Sequence, residues 1–263
     1  NVPPFVFALI FLGVLTKSAT FPFQTWLPDA SVAPTPVTSF LHAAVLVKIG
    51  IYGLARLFDT TLTVSGNVIW AGYLALFSSF AAGIVAMRET DIKRILASST
   101  ISQLGFMIAC LMVFNPVATR GIVIFYVAHA LGKGCLFLCA GITEKIFGTK
   151  DIRQMGGLMK KSPLLTYAFL FSMFSVAGIP PLPGFYGKLE AITGILIKRH
   201  IFYGLLAILT SALTLMYMFR LFRYAFMGEV KEIKIEEKGF TPMMVSVVLL
   251  ATASLLLGII LVV

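Results

Sequence analysis

The sequence predicts an all-α, polytopic membrane protein. Of its 263 residues 59% are hydrophobic and only 12% are charged. Mean hydropathy is +0.96, and the apolar residues gather into runs of about 20, the length that crosses a hydrocarbon core of roughly 30 Å. A soluble core of this length would need a far more polar shell.

Eight spans follow, at about 5–26, 37–58, 66–87, 92–114, 117–143, 163–197, 201–226 and 241–263. The first carries Lys17 with Ser18 and Thr20 behind it, and the second carries His42 and Lys48. The fourth begins with a polar stretch, Ser98, Ser99, Thr100, Ser102 and Gln103, fit either to line a wet cavity or to hydrogen-bond adjacent helices. The fifth holds His129 and Lys133 among the small residues Ala128, Ala130, Gly132 and Gly134, which let a neighbouring helix or water approach closely.

The sixth span is too long. Its 35 residues would extend about 52 Å as a straight helix, and its middle reads Gly178-Ile179-Pro180-Pro181-Leu182-Pro183-Gly184. Proline lacks the N–H and clashes with the preceding turn, so the helix must break there. It is then either one discontinuous span or a re-entrant hairpin. With one broken span, 13 Lys and Arg collect on the side of loops 88–94, 144–162 and 227–240, against four on the other; a hairpin would split them 10 to 7. The excess of basic residues on cytoplasmic loops favours the broken span, with those three loops cytoplasmic.

Topology and attraction to anionic lipid also account for the net charge of +10, so no nucleic-acid partner is expected. The sequence contains no GxGxxG, Walker sequence or nucleophile elbow, and hence no cofactor cradle or catalytic redox site of its own. Cys110, Cys135 and Cys139 all lie in apolar runs, without the spacing of a disulfide framework or zinc set, and read as packing residues. The chain opens at Asn1 and is at once inside a span, which is expected of a processed product or a fragment.

Four lysines, Lys17, Lys48, Lys133 and Lys188, therefore lie within spans. A charge at the bilayer centre costs roughly 2.5–3.5 kcal/mol on insertion scales, so each is a functional candidate. Lysine ammonium groups in low dielectric can lose and regain a proton, which is what a relay needs. His129 and Lys133 share a helix face about 6 Å apart along the axis. His42 and Lys48 are about 120° apart around theirs, so they need not share a line of waters; His42 alone could simply hydrogen-bond a neighbouring backbone. Lys17 is at least about nine residues from either end of its span, too deep to snorkel. Lys188 and Glu190, the one acidic residue within a span, follow the proline break. There they either form an outward exit for ions or stabilise the second half-helix.

The local sequences resemble a known family. Lys17-Ser18-Ala19 leading into Phe21-Pro22-Phe23-Gln24-Thr25-Trp26-Leu27-Pro28-Asp29-Ala30, then Ala33-Pro34-Thr35-Pro36-Val37, His42-Ala43-Ala44 and Lys48-Ile49-Gly50-Ile51-Tyr52 are similar to the antiporter-like subunits shared by respiratory complex I, Mrp cation/proton antiporters and membrane-bound hydrogenase or sulfur-reductase complexes. The likeness continues through Asp91-Ile92-Lys93-Arg94-Ile95-Leu96-Ala97-Ser98-Ser99, Ser102-Gln103-Leu104-Gly105, His129 to Lys133, and Gly178-Ile179-Pro180-Pro181 to Gly184-Phe185 with Lys188.

The resemblance implies the C-terminal part of a fourteen-helix subunit built from two inverted repeats. Residues 1–58 would end the first repeat, 59–226 would form the second with its broken helix at 178–184, and 227–263 would be a cytoplasmic loop and final span. Lys17 looks like the central lysine of the first half-channel, Lys48 like the bridging lysine, Lys133 like the central lysine of the second and Lys188 like the lysine near the exit. His42 and His129 match histidines of the family's polar axis. Gln24 and Phe125 stand where relatives carry further histidines. The glutamate that pairs with the equivalent of Lys17 belongs to an earlier helix absent from this sequence, so either another chain supplies it or only the second half-channel conducts.

The expected function is translocation of protons, or of sodium against protons, by one subunit of a redox-driven complex in a prokaryotic plasma membrane. Iron–sulfur clusters would reside in hydrophilic partner subunits, beside further antiporter-like membrane subunits. The alternatives are a component of a gradient-driven Mrp-type antiporter, and a non-conducting structural subunit.

Overall fold

A computed structural model describes residues 2–43, 45–58, 63, 68–231 and 241–262. The basic residues Lys234 and Lys238 of the loop at 227–240, Asp59 at the repeat boundary and the start of the third span at 66 lie outside the described residues. The described chain is a helical bundle of α1 (Pro4–Lys17), α2 (Trp26–Ala30), α3 (Thr35–Ala43), α4 (Ile49–Phe58), α5 (Ile69–Arg88), α6 (Ile92–Leu111), α7 (Pro116–Phe147), α8 (Leu158–Lys161), α9 (Pro163–Ala177), α10 (Pro183–Ile197), α11 (Ile201–Phe226) and α12 (Thr241–Ile260). Among the described residues there is no strand; Asp91 and Asp151 form an isolated bridge.

Five helices, α5, α6, α7, α11 and α12, are each long and apolar enough to cross a membrane. The other predicted spans are built from paired shorter pieces. The break at 178–182 is the one the prolines predict, and two more are present: α1 stops at Lys17 and α3 at Ala43. Just past the first, Ala19 turns the chain at a φ of 47°, and Pro22, which cannot donate to a helix, keeps it from resuming directly.

Local chemistry sets the helix ends. The Asp91 carboxylate accepts the N–H groups of Lys93 and Arg94 and starts α6. The Asn115 side chain accepts those of Val117 and Ala118, and Pro116 opens α7. That helix runs 32 residues to Gly148, about 48 Å, and forms the spine of the bundle. It touches α3, α6, α9, α10 and α12. Against α10 the approach is close. A β-carbon on Gly187 would lie 2.6 Å from the Phe125 backbone nitrogen, and one on Gly121 would lie 2.7 Å from the Gly187 carbonyl oxygen. Small residues make that packing possible, and in lipid such packing is a main source of helix association.

The buried apolar residues form two clusters. One takes the C-terminal half of α6, the N-terminal half of α7 and parts of α1, α4, α5, α10 and α11. The second takes the opposite halves of α6 and α7 together with α9, α12 and the end of α11. Between them lies a buried polar layer: Ser98, Ser99, Thr100, Ser102 and Gln103 on α6, His129 and Lys133 on α7, and Thr210 and Thr214 on α11. The outside is apolar, with Phe202, Leu205, Leu209 and Met216 of α11 exposed, as a lipid-facing surface requires.

Candidate functional site

Three lysine ammonium groups and two histidines converge on α7. Lys133 is fully buried, and its Nζ donates to the Leu96 carbonyl at 3.0 Å and to the Ser99 hydroxyl. Lys48 is also fully buried. Its Nζ donates to the Tyr126 carbonyl at 2.8 Å and sits 4.6 Å from the centre of the Tyr126 ring. Lys188 reaches back from α10 to the Ala177 carbonyl, 3.1 Å away, which the end of α9 leaves without a helical donor. Its ammonium lies 5.0 Å from the Phe125 ring and 5.8 Å from the Phe106 ring.

His129 stands one turn from Tyr126 and one turn from Lys133, within electrostatic range of Lys48, Lys133 and Lys188 together. It is fully buried, and neither ring nitrogen has a hydrogen-bond partner among the described residues. His42 is buried in the last turn of α3 against the Phe137 ring, 4.7 Å between centroids, and within range of Lys133. Its ring nitrogens are likewise without partners among the described residues.

Three expectations need correction. Lys17 is not deep within a helix: it is the last residue of α1, and its side chain is exposed. The end of α1 nevertheless packs on α4, since a β-carbon on Gly50 would lie 3.5 Å from the Lys17 Cβ. His42 and Lys48 do not share a helix: α3 ends at Ala43, and Lys48 lies in the turn before α4. The 120° offset inferred from a continuous span therefore does not hold. Glu190 does not join Lys188. Two residues along a helix place side chains on opposite faces, and Glu190 pairs with Arg120 of α7 through two 2.7 Å hydrogen bonds.

The polar start of α6 hydrogen-bonds adjacent helices, the second of the two roles considered for it. Gln103 donates to the Thr214 hydroxyl at 2.6 Å and to the Tyr217 hydroxyl at 3.1 Å, tying α6 to α11, while Ser99 holds Lys133. Sequence reasoning missed the acceptors Tyr126, Leu96 and Ala177, because backbone carbonyls carry no residue signal. It also missed the pair of Lys93 and Glu144, 2.7 Å apart, with Lys93 only 6% exposed. The signal was present, since Glu144 ends the last turns of α7 and Lys93 begins α6. The cysteines are buried: Cys135 and Cys139 have sulfurs 3.9 Å apart, and Cys135 donates to the Ala168 and Val247 carbonyls.

Residues 3–214 match the family model described as "NADH:quinone oxidoreductase/Mrp antiporter, TM". The chain belongs to this family. Among proteins similar to this family member, an Na(+)/H(+) antiporter subunit of Bacillus subtilis (strain 168) is 37% identical over 253 residues, covering 88% of this chain and 32% of that protein. A second Na(+)/H(+) antiporter subunit, from Alkalihalophilus pseudofirmus, is 35% identical over 262 residues, covering 96% of this chain and 52% of that one. The chain thus spans about half or less of the length of these relatives. A chain in the solved Mrp complex from Dietzia sp. DQ12-45-1b superposes with a TM-score of 0.87 at 23% identity, over 97% of this chain and 56% of that one. This likeness shows that the antiporter-family member has the fold of part of that longer chain.

Proposed function

We propose that this chain is the ion-conducting part of one subunit in a gradient-driven, Mrp-type cation/proton antiporter of a prokaryotic plasma membrane, with loops 88–94, 144–162 and 227–240 cytoplasmic. The observation that carries the proposal is the convergence of Lys48, Lys133 and Lys188 around His129 in a polar layer between two apolar clusters. Of the two driving forces considered from the sequence, the names of the similar proteins favour an existing ion gradient over a redox reaction. Iron–sulfur partners gain no support from them. Further antiporter-like membrane subunits are the proposed partners, one of them carrying the helices that would face Lys17.

The mechanism is electrostatic. Two like charges about 6 Å apart interact by about 3 kcal/mol at an effective dielectric of 20. A proton arriving on His129 therefore favours release from Lys133, and a cation near Lys48 favours release of the Lys48 proton towards His129 and Lys133. Carbonyl groups of Tyr126, Leu96 and Ala177 hold the three ammonium groups in place. The test is sodium-dependent proton movement in proteoliposomes containing the whole assembly. Lys133→Ala abolishes exchange while the assembly still elutes intact; exchange at the parent rate would refute conduction through this chain.

A further inference from the structure

An almost wholly apolar groove of about 260 Å³ opens between α4, α7 and the end of α6, lined by Tyr52, Ala55, Ile122, Val123, Tyr126 and Val127 among others. Tyr52, Val123 and Val127 on its rim are exposed, so in a membrane the groove faces lipid. On α7 the lining runs from Thr119 to Val127, about 12 Å along the helix axis. One leaflet of a hydrocarbon core of roughly 30 Å is about 15 Å deep. The groove thus follows most of one leaflet, at the bundle end opposite loop 88–94, where α6 ends at Leu111 and α7 begins at Pro116.

This lining suits a flexible chain better than a helix. Transmembrane helices associate through small residues that let two backbones approach, and through interhelical hydrogen bonds. Among the described residues of the lining there is one alanine and no glycine, and the surface they present is almost wholly apolar. Tyr52, Val123 and Val127 would hold a neighbouring backbone away from the floor. The mouth is different in character. Arg56 follows Ala55 near the end of α4, one turn and about 6 Å along the axis beyond Tyr52, with its side chain exposed. A guanidinium carries five N–H donors in a fork that fits phosphate, enough to serve one alongside contacts within the protein. Arg120, at the same end of α7, is engaged by Glu190 and belongs to the contact with α10.

We propose that this groove is a phospholipid site, with one acyl chain lying between α4 and α7 and the lipid phosphate on Arg56. The site goes beyond the antiporter reading and does not rest on it, since it needs only that the chain spans a membrane. It meets the lysine cluster at one residue. Tyr126 lines the groove, while its carbonyl and its ring hold the Lys48 ammonium. The acyl chain therefore backs the residue that positions Lys48.

The test is photolabelling of the whole assembly with a phosphatidylglycerol that carries a diazirine on one acyl chain. The assembly is reconstituted with this lipid, re-extracted in mild detergent, washed by size exclusion, irradiated and digested for mass spectrometry, so that bulk lipid is removed before the light is applied. Adducts form on residues 119–127 at least about fivefold more often than around the exposed Phe202, Leu205 and Leu209 of α11, because burial retains a chain only in the groove. Arg56→Gln lowers the groove adducts about threefold, the scale of an exposed charge contact. Val123→Trp, which fills the groove from an exposed position, nearly abolishes them while the assembly still elutes intact. Adducts spread evenly over α7 and α11 would mean bulk lipid only, and none on residues 119–127 would mean that another protein chain covers the groove. Adducts unchanged in Arg56→Gln would remove the phosphate contact. Each of these results would overturn the site as proposed. Labelling needs no ion gradient, so parent-like exchange in Lys133→Ala, which refutes the antiporter reading, is distinguishable from failure of this site.

Discussion

The side chain of Lys188 lies over Gly178, with its Cδ 2.9 Å from where a β-carbon on that glycine would sit. Gly178 ends α9 with a φ of 87°, a conformation that L side chains rarely adopt. The helix break and the lysine position are therefore one device: the glycine turns the chain, leaves the Ala177 carbonyl free and clears the path by which Lys188 reaches it. Gly178→Ala is expected to cost about 1–2 kcal/mol from the left-handed backbone alone. It also displaces Lys188. The assembly should survive with a lowered midpoint in a thermal melt followed by size-exclusion elution, and should lose more exchange activity than that loss of stability explains.

Ser99 is the one side-chain acceptor of the Lys133 ammonium among the described residues; the second acceptor is the Leu96 carbonyl. Ser99→Ala leaves a buried charge with one partner fewer, a loss of about 1–3 kcal/mol. Ser99→Thr keeps the hydroxyl. Exchange measured in proteoliposomes should fall in the first variant and recover largely in the second. Equal loss in both would mean that side-chain volume at this position matters rather than the hydrogen bond.

Much of this site is legible in the sequence, and the limits have physical causes. Helical spacing relates His129 correctly to Lys133 because nothing interrupts α7. The break at Gly178 is legible because three prolines force it. The break before Lys48 is not, since Val45-Leu46-Val47 contains neither proline nor glycine. Hydropathy carries the second span straight through it. Lys17 misleads differently: the span drawn to Trp26 passes over Pro22, which the helix cannot cross. The direction of Glu190 follows from its two-residue offset from Lys188, but its partner Arg120, 70 positions away, depends on how α10 packs on α7.

The pair of Arg120 and Glu190 should be replaceable. Arg120 is 72% exposed, so water screens the contact despite its bidentate geometry. Replacing both residues, as Arg120→Gln with Glu190→Gln, is expected to leave exchange within about twofold of the parent, in line with the small effects of exposed ion pairs. The comparison is made in the same proteoliposomes as Lys188→Ala, which should lose exchange. A loss in the double variant as large as that of Lys188→Ala would restore the exit role that the sequence suggested for Glu190.

Lys93 and Glu144 behave differently because their pair is mostly buried. They join the start of α6 to the end of α7, with Lys150 a further 3.9 Å from the carboxylate. The same junction is tied by backbone hydrogen bonds from Ile92 to Lys150 and from Ile152 to Thr90. Removing one member of a buried pair leaves the other charge without compensation, and such changes cost about 3–5 kcal/mol. Glu144 retains 22% exposure, so the lower end of that range applies. Lys93→Met alone should sharply lower the thermal midpoint of the assembly, whereas Lys93→Met with Glu144→Leu should recover most of it, because two apolar side chains replace two charges that no longer need each other. Exchange by the surviving double variant then separates two roles. Activity near the parent level makes the pair a staple that fixes α6 so that Ser99 meets Lys133, and a stable but inactive double variant makes the charges themselves part of conduction.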